Sequence, residues 1–239
     1  MAIRHCLNFF KELVVGTLRV VRNMLQLGLE HSTKNRYVVF GSGGLAKELI
    51  AYIEADGTDE VVCVVSSGTF NNAAYSRRYA VVEAIQAGAY PGAKFLLAVA
   101  DPDVKKVIVG KNENRWATYI HPSCVISPYA VIGAGCVIAP QCIVSADATL
   151  DRFVFMGTHA FVGHDSHIGS WTTMYPSTKV CGGCQIGVSC VFGVGSYVLP
   201  GKHIADTVKV SAGSVVRHSF DGSEHIGVTL QGNPAQQRV

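Results

Sequence analysis

From Ile120 onward an apolar residue returns at every sixth position. The series runs Ile120, Ile126, Ile132, Ile138, Val144, Leu150, Met156, Val162, Ile168, Met174, Val180, Ile186, Phe192, Val198, Ile204, Val210 and Val216. In a chain that is 49% apolar, chance would fill these positions on the order of once in 10^5, so the period is a structural repeat. A six-residue repeat marks a β-helix, in which each repeat supplies one short strand and one turn. Three repeats make a coil of about eighteen residues, so positions that far apart stack about 4.8 Å from each other. The series amounts to nearly six coils.

Other periods govern the chain before the repeat. Leu7, Phe10, Val14, Leu18, Val21, Leu25 and Leu29 recur at steps of three and four, which predicts an amphipathic helix and linker over residues 1–35. Lys11, Glu12, Arg19 and Arg22 interrupt that run, so neither a membrane span nor a secretory segment fits. Packing on a neighbouring element and peripheral contact with a membrane surface are its two readings. Next, Tyr37–Phe40 reads as a buried strand entering Gly41-Ser42-Gly43-Gly44, followed by a helix from Leu45 to Glu54. Strands at Val61–Val65 and Lys94–Val99 and a helix from Asp101 to about Val109 complete an expected Rossmann-like α/β domain, spanning about 36–113. The β-helix and a turn-rich tail then occupy 114–239.

Charge and cysteine narrow the classes. A net charge of +3, with no block of Lys or Arg, offers no nucleic-acid footprint. Eight cysteines, Cys181-Gly-Gly-Cys184 among them, invite a metal or disulfide reading. Yet Cys124, Cys136, Cys142, Cys184 and Cys190 all fall two residues before the repeat position, a place shared with Ala130, Ala148, Ala160, Ser166 and Ser196. Cysteine there reads as a small buried residue, and no metal site is expected. So many unpaired thiols point to a reducing compartment, the cytoplasm.

His164 stands two residues past Val162, where the repeat does not force burial, and Asp165 follows it. A neutral imidazole oriented by a carboxylate is the usual general base. Adjacent strand residues face opposite ways, so Asp165 needs a corner to reach its neighbour. A solvent-facing His-Asp pair is the alternative. Gly182 stacks above His164 and would bring a backbone N–H beside the imidazole, a candidate oxyanion donor. The strand–glycine–helix passage at Gly41, Ser42, Gly43 and Gly44 has the geometry that aims N–H groups at a phosphate. Without the third glycine of GxGxxG, a tight structural turn is the alternative there.

Taken in order, Val38-Val39-Phe40-Gly41-Ser42-Gly43-Gly44, Ile120-His121-Pro122-Ser123, Val162-Gly163-His164-Asp165, Cys181-Gly182-Gly183, Val198-Leu199-Pro200-Gly201, Ala212-Gly213-Ser214-Val215-Val216 and Gly232-Asn233-Pro234-Ala235 resemble the NeuD/PglD family of hexapeptide acyltransferases over about residues 36–239. These enzymes acetylate sialic acid or nucleotide-linked amino sugars. The resemblance implies a left-handed parallel β-helix, an exception to right-handed crossovers, assembled as a homotrimer with sites between subunits. It makes His164 the general base and Asp165 its orienting acid. The amides of Gly182, Val194 and Ala212 match the acetyl-CoA groove, and Gly41–Gly44 the sugar-nucleotide phosphate site. Departures are Gly157 where the family often has Asn, Thr173 where it often has His, Leu45 after Gly44, and Ser66-Ser67 where an acid is common.

The expected chemistry is direct acetyl transfer from acetyl-CoA to an amine or hydroxyl of a nucleotide-linked sugar in cell-surface glycan biosynthesis. Sialic acid or polysaccharide O-acetylation is the near alternative. Two others lie further off. His159 and His164 have the His-x4-His spacing of γ-class carbonic anhydrases, although their third ligand would fall near Ser123. The missing Asn and His equivalents leave room for a non-catalytic trimeric scaffold that binds sugar nucleotides.

Overall fold

The computed structural model describes residues 34–57, 59–66, 78–82, 89–111, 116–222 and 225–227. The amphipathic run expected in residues 1–35 lies outside the described residues as far as position 33, as do Ser67 and the motif Gly232-Asn233-Pro234-Ala235. Asn35–Val239 forms one compact unit.

Its first part is a parallel four-stranded sheet. Strand β1 is Arg36–Phe40, followed by helix α1 (Gly44–Asp56), β2 (Glu60–Val65), β3 (Ala80–Val82), β4 (Lys94–Leu97) and helix α2 (Pro102–Gly110). The spatial order is β3-β2-β1-β4, every pair parallel. Val38, Val39, Phe40, Cys63, Val64, Leu96 and Leu97 are buried, as strands covered on both faces require. Helix α2 begins where Asp101 accepts from the N–H groups of Asp103 and Val104 at 2.9 and 3.0 Å, with Pro102 at its start, a strong N-cap. Strand β3 has no expectation behind it. Its Ala80 and Val81 are exposed at the sheet edge, so burial leaves no pattern there.

The remainder is a parallel β-solenoid of the left-handed type. Two-residue strands run from β5 (Tyr119–Ile120) to β21 (Val215–Val216), and the second residue of each is the repeat position. They stack into sheets of five, seven and six strands, the faces of a three-sided prism. A further strand, β22 (His225–Ile226), adds to the seven-stranded sheet beside Lys209–Val210, so the rod continues past the end of the six-residue period.

The corners have their own period. Every sixth residue from Gly135 to Gly213 takes positive φ, and nine of these are not glycine: Gln141, Asp147, Phe153, His159, Asp165, Trp171, Ser177, Ser189 and Thr207. That conformation is uncommon for a residue with a Cβ, and here each turn of the prism imposes it. Except at Val154, Lys202 and Val208, which are larger, a small residue sits inside each corner, two places before the repeat position. Its thiol or hydroxyl donates to the carbonyl one coil away: Cys136 to Asp151 O (3.0 Å), Cys142 to Gly157 O (3.0 Å), Cys190 to Ala205 O (3.2 Å) and Ser166 to Cys181 O (2.9 Å). Cysteine alternates with Ser, Thr and Ala because the space is small and a donor there satisfies a buried carbonyl.

Sheet and solenoid share a core. Leu49, Ile50 and Ile53 of α1 pack with Tyr119, Val137 and Phe155 on the seven-stranded face. A row of rings, Phe40, Trp116, Phe153 and Trp171, continues the contact, the last two stacked at 4.4 Å. Lys105 of α2 is buried in the same joint. Its Nζ donates to Thr173 Oγ1 at 2.7 Å and to the carbonyls of Phe153 and Trp171 at 3.3 and 3.2 Å. Burial pulls this ammonium down to about 7. No helix among the described residues is long and apolar enough to cross a membrane.

Candidate active site at a prism edge

His164 and Asp165 lie on the corner between strands Phe161–Val162 and His167–Ile168, where the six-stranded sheet meets the five-stranded one. Asp165 has φ 57°. This left-handed turn defeats the strand rule that would send its side chain away from His164, and Asp tolerates it better than most residues. Its Oδ2 lies 2.7 Å from His164 Nδ1. A carboxylate only accepts, so Nδ1 carries the proton and Nε2 holds the lone pair. Both side chains are open to solvent, at 70% and 65%, which leaves Nε2 accessible.

Gly182 occupies the equivalent corner one coil on. A Cβ there would stand 2.5 Å from His164 Nε2 and 2.7 Å from Cε1, so only glycine lets the ring lie against this backbone. Among the described residues the Gly182 N–H has no backbone acceptor, whereas its neighbour Gly183 donates to His164 O at 2.8 Å. Ser166 ties the two corners together: Oγ donates to Cys181 O at 2.9 Å and accepts from Cys184 N at 3.1 Å. Sequence reading passed over this clamp. Its one signal is a hydroxyl at the position two before the repeat residue, a signal shared with Thr172, which bonds Gly187 O and Cys190 N in the same way.

Val194 and Ala212 stack one coil apart on a different edge, where the seven-stranded sheet turns into the six-stranded one. Their side of the corner is exposed, and Gly213 N donates to Val194 O at 2.8 Å. Within one chain they are therefore not gathered with His164. Both edges border the same six-stranded face.

The Gly41–Gly44 turn forms a separate place at the head of α1. Gly41 has φ 121°, and a Cβ there would lie 2.5 Å from Ala98 O, so glycine is required for the chain to pass the sheet. Ser42 Oγ lies 2.7 Å from Ser66 Oγ at the end of β2. Gly43 caps the helix without a side chain, and the first turn holds no acid. The positive end of α1 thus stays unneutralised by its own residues, as an anion seat requires.

The departures acquire physical reasons. A Cβ at Gly157 would lie 2.6 Å from Pro176 N, leaving no room for a larger residue. Thr173 is buried; it takes the Lys105 hydrogen bond and donates to Ala100 O at 2.5 Å, so this position serves the joint. Leu45 packs on the α1 core. His159 lies on the edge that carries Val194, away from His164, and the described residues hold no metal-binding group of three His, Cys, Asp or Glu.

No protein-family model matches the chain. Among solved structures, perosamine N-acetyltransferase from Caulobacter crescentus, in complex with CoA and GDP-perosamine, is 27% identical with a TM-score of 0.70, over 82% of this chain and 95% of that one. The acetyltransferase domain of PglB from Neisseria gonorrhoeae shares the fold, at 22% identity and a TM-score of 0.69, over 80% of this chain and 96% of that one. Shorter matches run to UDP-3-O-acylglucosamine N-acyltransferases. That of Delftia acidovorans is 39% identical over 62 residues and that of Herminiimonas arsenicoxydans 42% over 59. These cover 26% and 25% of this chain, and only 18% and 17% of those curated relatives. The fold is thus shared with β-helix sugar N-acetyltransferases.

Proposed function

We propose that the chain is an acetyl-CoA-dependent acyltransferase that acetylates the amino group of a nucleotide-linked sugar. The observation that carries this reading is the exposed His164 ring, oriented by Asp165 through Nδ1 and with Nε2 set against the Gly182 backbone. The likeness to the perosamine enzyme supports the class of donor and acceptor. In this reading residues 36–113 are a Rossmann-like domain whose Gly41–Gly44 turn takes the nucleotide phosphate, and 114–239 form the acyltransferase domain.

Nε2 takes a proton from the acceptor amine as its nitrogen attacks the thioester carbonyl of acetyl-CoA. The oxyanion of the tetrahedral intermediate faces the Gly182 N–H. The C–S bond then breaks, CoA leaves as thiolate, and the imidazolium returns a proton to it. Asp165 holds the ring in the required tautomer and balances its transient charge. No covalent enzyme intermediate is needed.

A homotrimer completes the site. Along the six-stranded face the outward row reads Val125, Ile143, Phe161, Lys179, Tyr197 and Val215, five apolar side chains with one cation among them. Val125, Ile143, Tyr197 and Val215 stand exposed, a surface of the kind that neighbouring subunits cover. Three prisms packed about an axis with these faces inward bring the His164 edge of one copy beside the Val194 and Ala212 edge of the next. The acetyl donor then lies between copies. Thiol release from acetyl-CoA, measured against UDP-, dTDP- and GDP-linked amino sugars with sialic acid included, tests the assignment. Turnover with a nucleotide-linked amine supports it, turnover with sialic acid alone moves the reading to O-acetylation, and no turnover with any acceptor overturns it.

A further inference from the structure

A second cleft lies away from His164, on the third edge of the prism. It has a volume of about 550 Å³ and is lined by Lys106, Val109 and Gly110 of α2, by Trp116, and by Ala134, Arg152, Phe153 and Trp171 of the rod. That volume falls within the range of small-molecule sites, roughly 300–1,000 Å³. Nothing in the acetyl-transfer reading uses it.

Its lining is selective in two respects. Of its eight described lining residues two are cations and none is acidic. Arg152 lies over the Phe153 ring, its guanidinium carbon 5.3 Å from the centroid, and has no carboxylate partner among the described residues. Among the described residues Lys106 is held by an exposed pair with Asp103 at 3.3 Å, which water screens. Ala134 and Arg152 also occupy the same corner position as His164 and Gly182, and their N–H groups have no backbone acceptor among the described residues. These groups together favour an anion. The second respect is ring surface: Trp116 and Trp171 are both half-buried here, and among the described residues the Trp116 indole N–H has no acceptor.

We propose that this cleft binds a nucleotide, its phosphate on Arg152 and Lys106 and its base against the tryptophans. Cation plus aromatic surface in one half-open cleft matches the two halves of that molecule. The inference stands independently of acetyl transfer, because no residue of this lining belongs to the His164 corner or to the Gly41–Gly44 turn.

The chain holds only two tryptophans, and both line the cleft, so intrinsic fluorescence excited at the indole band reports it directly. The full-length protein is titrated with UMP, AMP and GDP, and separately with inorganic phosphate. A saturable change with at least one nucleotide is expected, weakened tenfold or more in Arg152→Glu and in Lys106→Ala, and retained in His164→Ala. Both charge variants alter exposed side chains and are checked for unchanged circular dichroism. No fluorescence response to any nucleotide overturns the proposal. So does a response that survives Arg152→Glu, since it then arises at the Gly41–Gly44 turn through Phe40, which touches Trp116. Equal affinity for inorganic phosphate also overturns it, because the base is then not read.

Discussion

Asp165 Oδ2 lies 2.7 Å from Nδ1 of the residue that precedes it, His164. Two neighbours on a strand cannot meet in this way. They meet here because Asp165 stands at the left-handed corner of the coil, φ 57°. Asn keeps that backbone conformation and loses the charge. Asp165→Asn is therefore expected to fold normally and to lower kcat about tenfold to a hundredfold, less than loss of the imidazole itself. Steady-state kinetics beside circular dichroism check this; an unchanged kcat removes Asp165 from the mechanism.

Gly182→Ala probes the same corner from above. The added methyl would stand 2.5 Å from His164 Nε2, so the ring must swing away from its place. A displacement of this order costs about 10²-fold in rate. Melting temperature should move little, since the ring is free to turn into solvent.

Lys105 makes a prediction in stability. Its ammonium is lowered to about 7 from 10.5 by burial. Between those values the unfolded chain binds more protons than the folded one, so this group makes the fold more stable as pH rises from 7 to 10.5 and less stable as pH falls through that window. Denaturant midpoints of wild type minus Lys105→Met should show that slope. At neutral pH the variant should also lose about 1–3 kcal/mol, because the Phe153 and Trp171 carbonyls and Thr173 Oγ1 lose a donor. A flat difference across the window contradicts the burial argument.

The exposed ladder on the six-stranded face carries a prediction about assembly. Tyr197 stands 44% exposed within it, and Tyr197→Glu places a charge where an apolar face should close. Light scattering is expected to give a trimer for wild type and a monomer for the variant, with acetyl transfer lost together with the trimer. A monomeric wild type that turns over normally contradicts the shared site.

Much of the rod was readable from its residues. A period of six needs only that each coil bury one side chain per face, and all seventeen positions became strand ends. The positive-φ corners were not readable, because Asp165, His159, Phe153 and Trp171 have no common chemistry; backbone geometry selects that position and side-chain type does not. The placing of Val194 and Ala212 on another edge from His164 follows once coils are counted in three dimensions. Lys105 carried no signal at all. One lysine on a short helix looks solvated until Thr173 and two carbonyls close around it. The edge strand Ala80–Val82 was missed for the opposite reason, having too little burial to mark it.

The central claim is that Nε2 of His164 takes the proton from the attacking amine. Acetyl transfer by His164→Ala, measured with the best acceptor of the nucleotide-sugar panel, tests it most directly. A fall in kcat of at least about 10²-fold, with the KM for acetyl-CoA little changed and the trimer intact, is the predicted result. A variant that still transfers acetyl at close to the wild-type rate contradicts it.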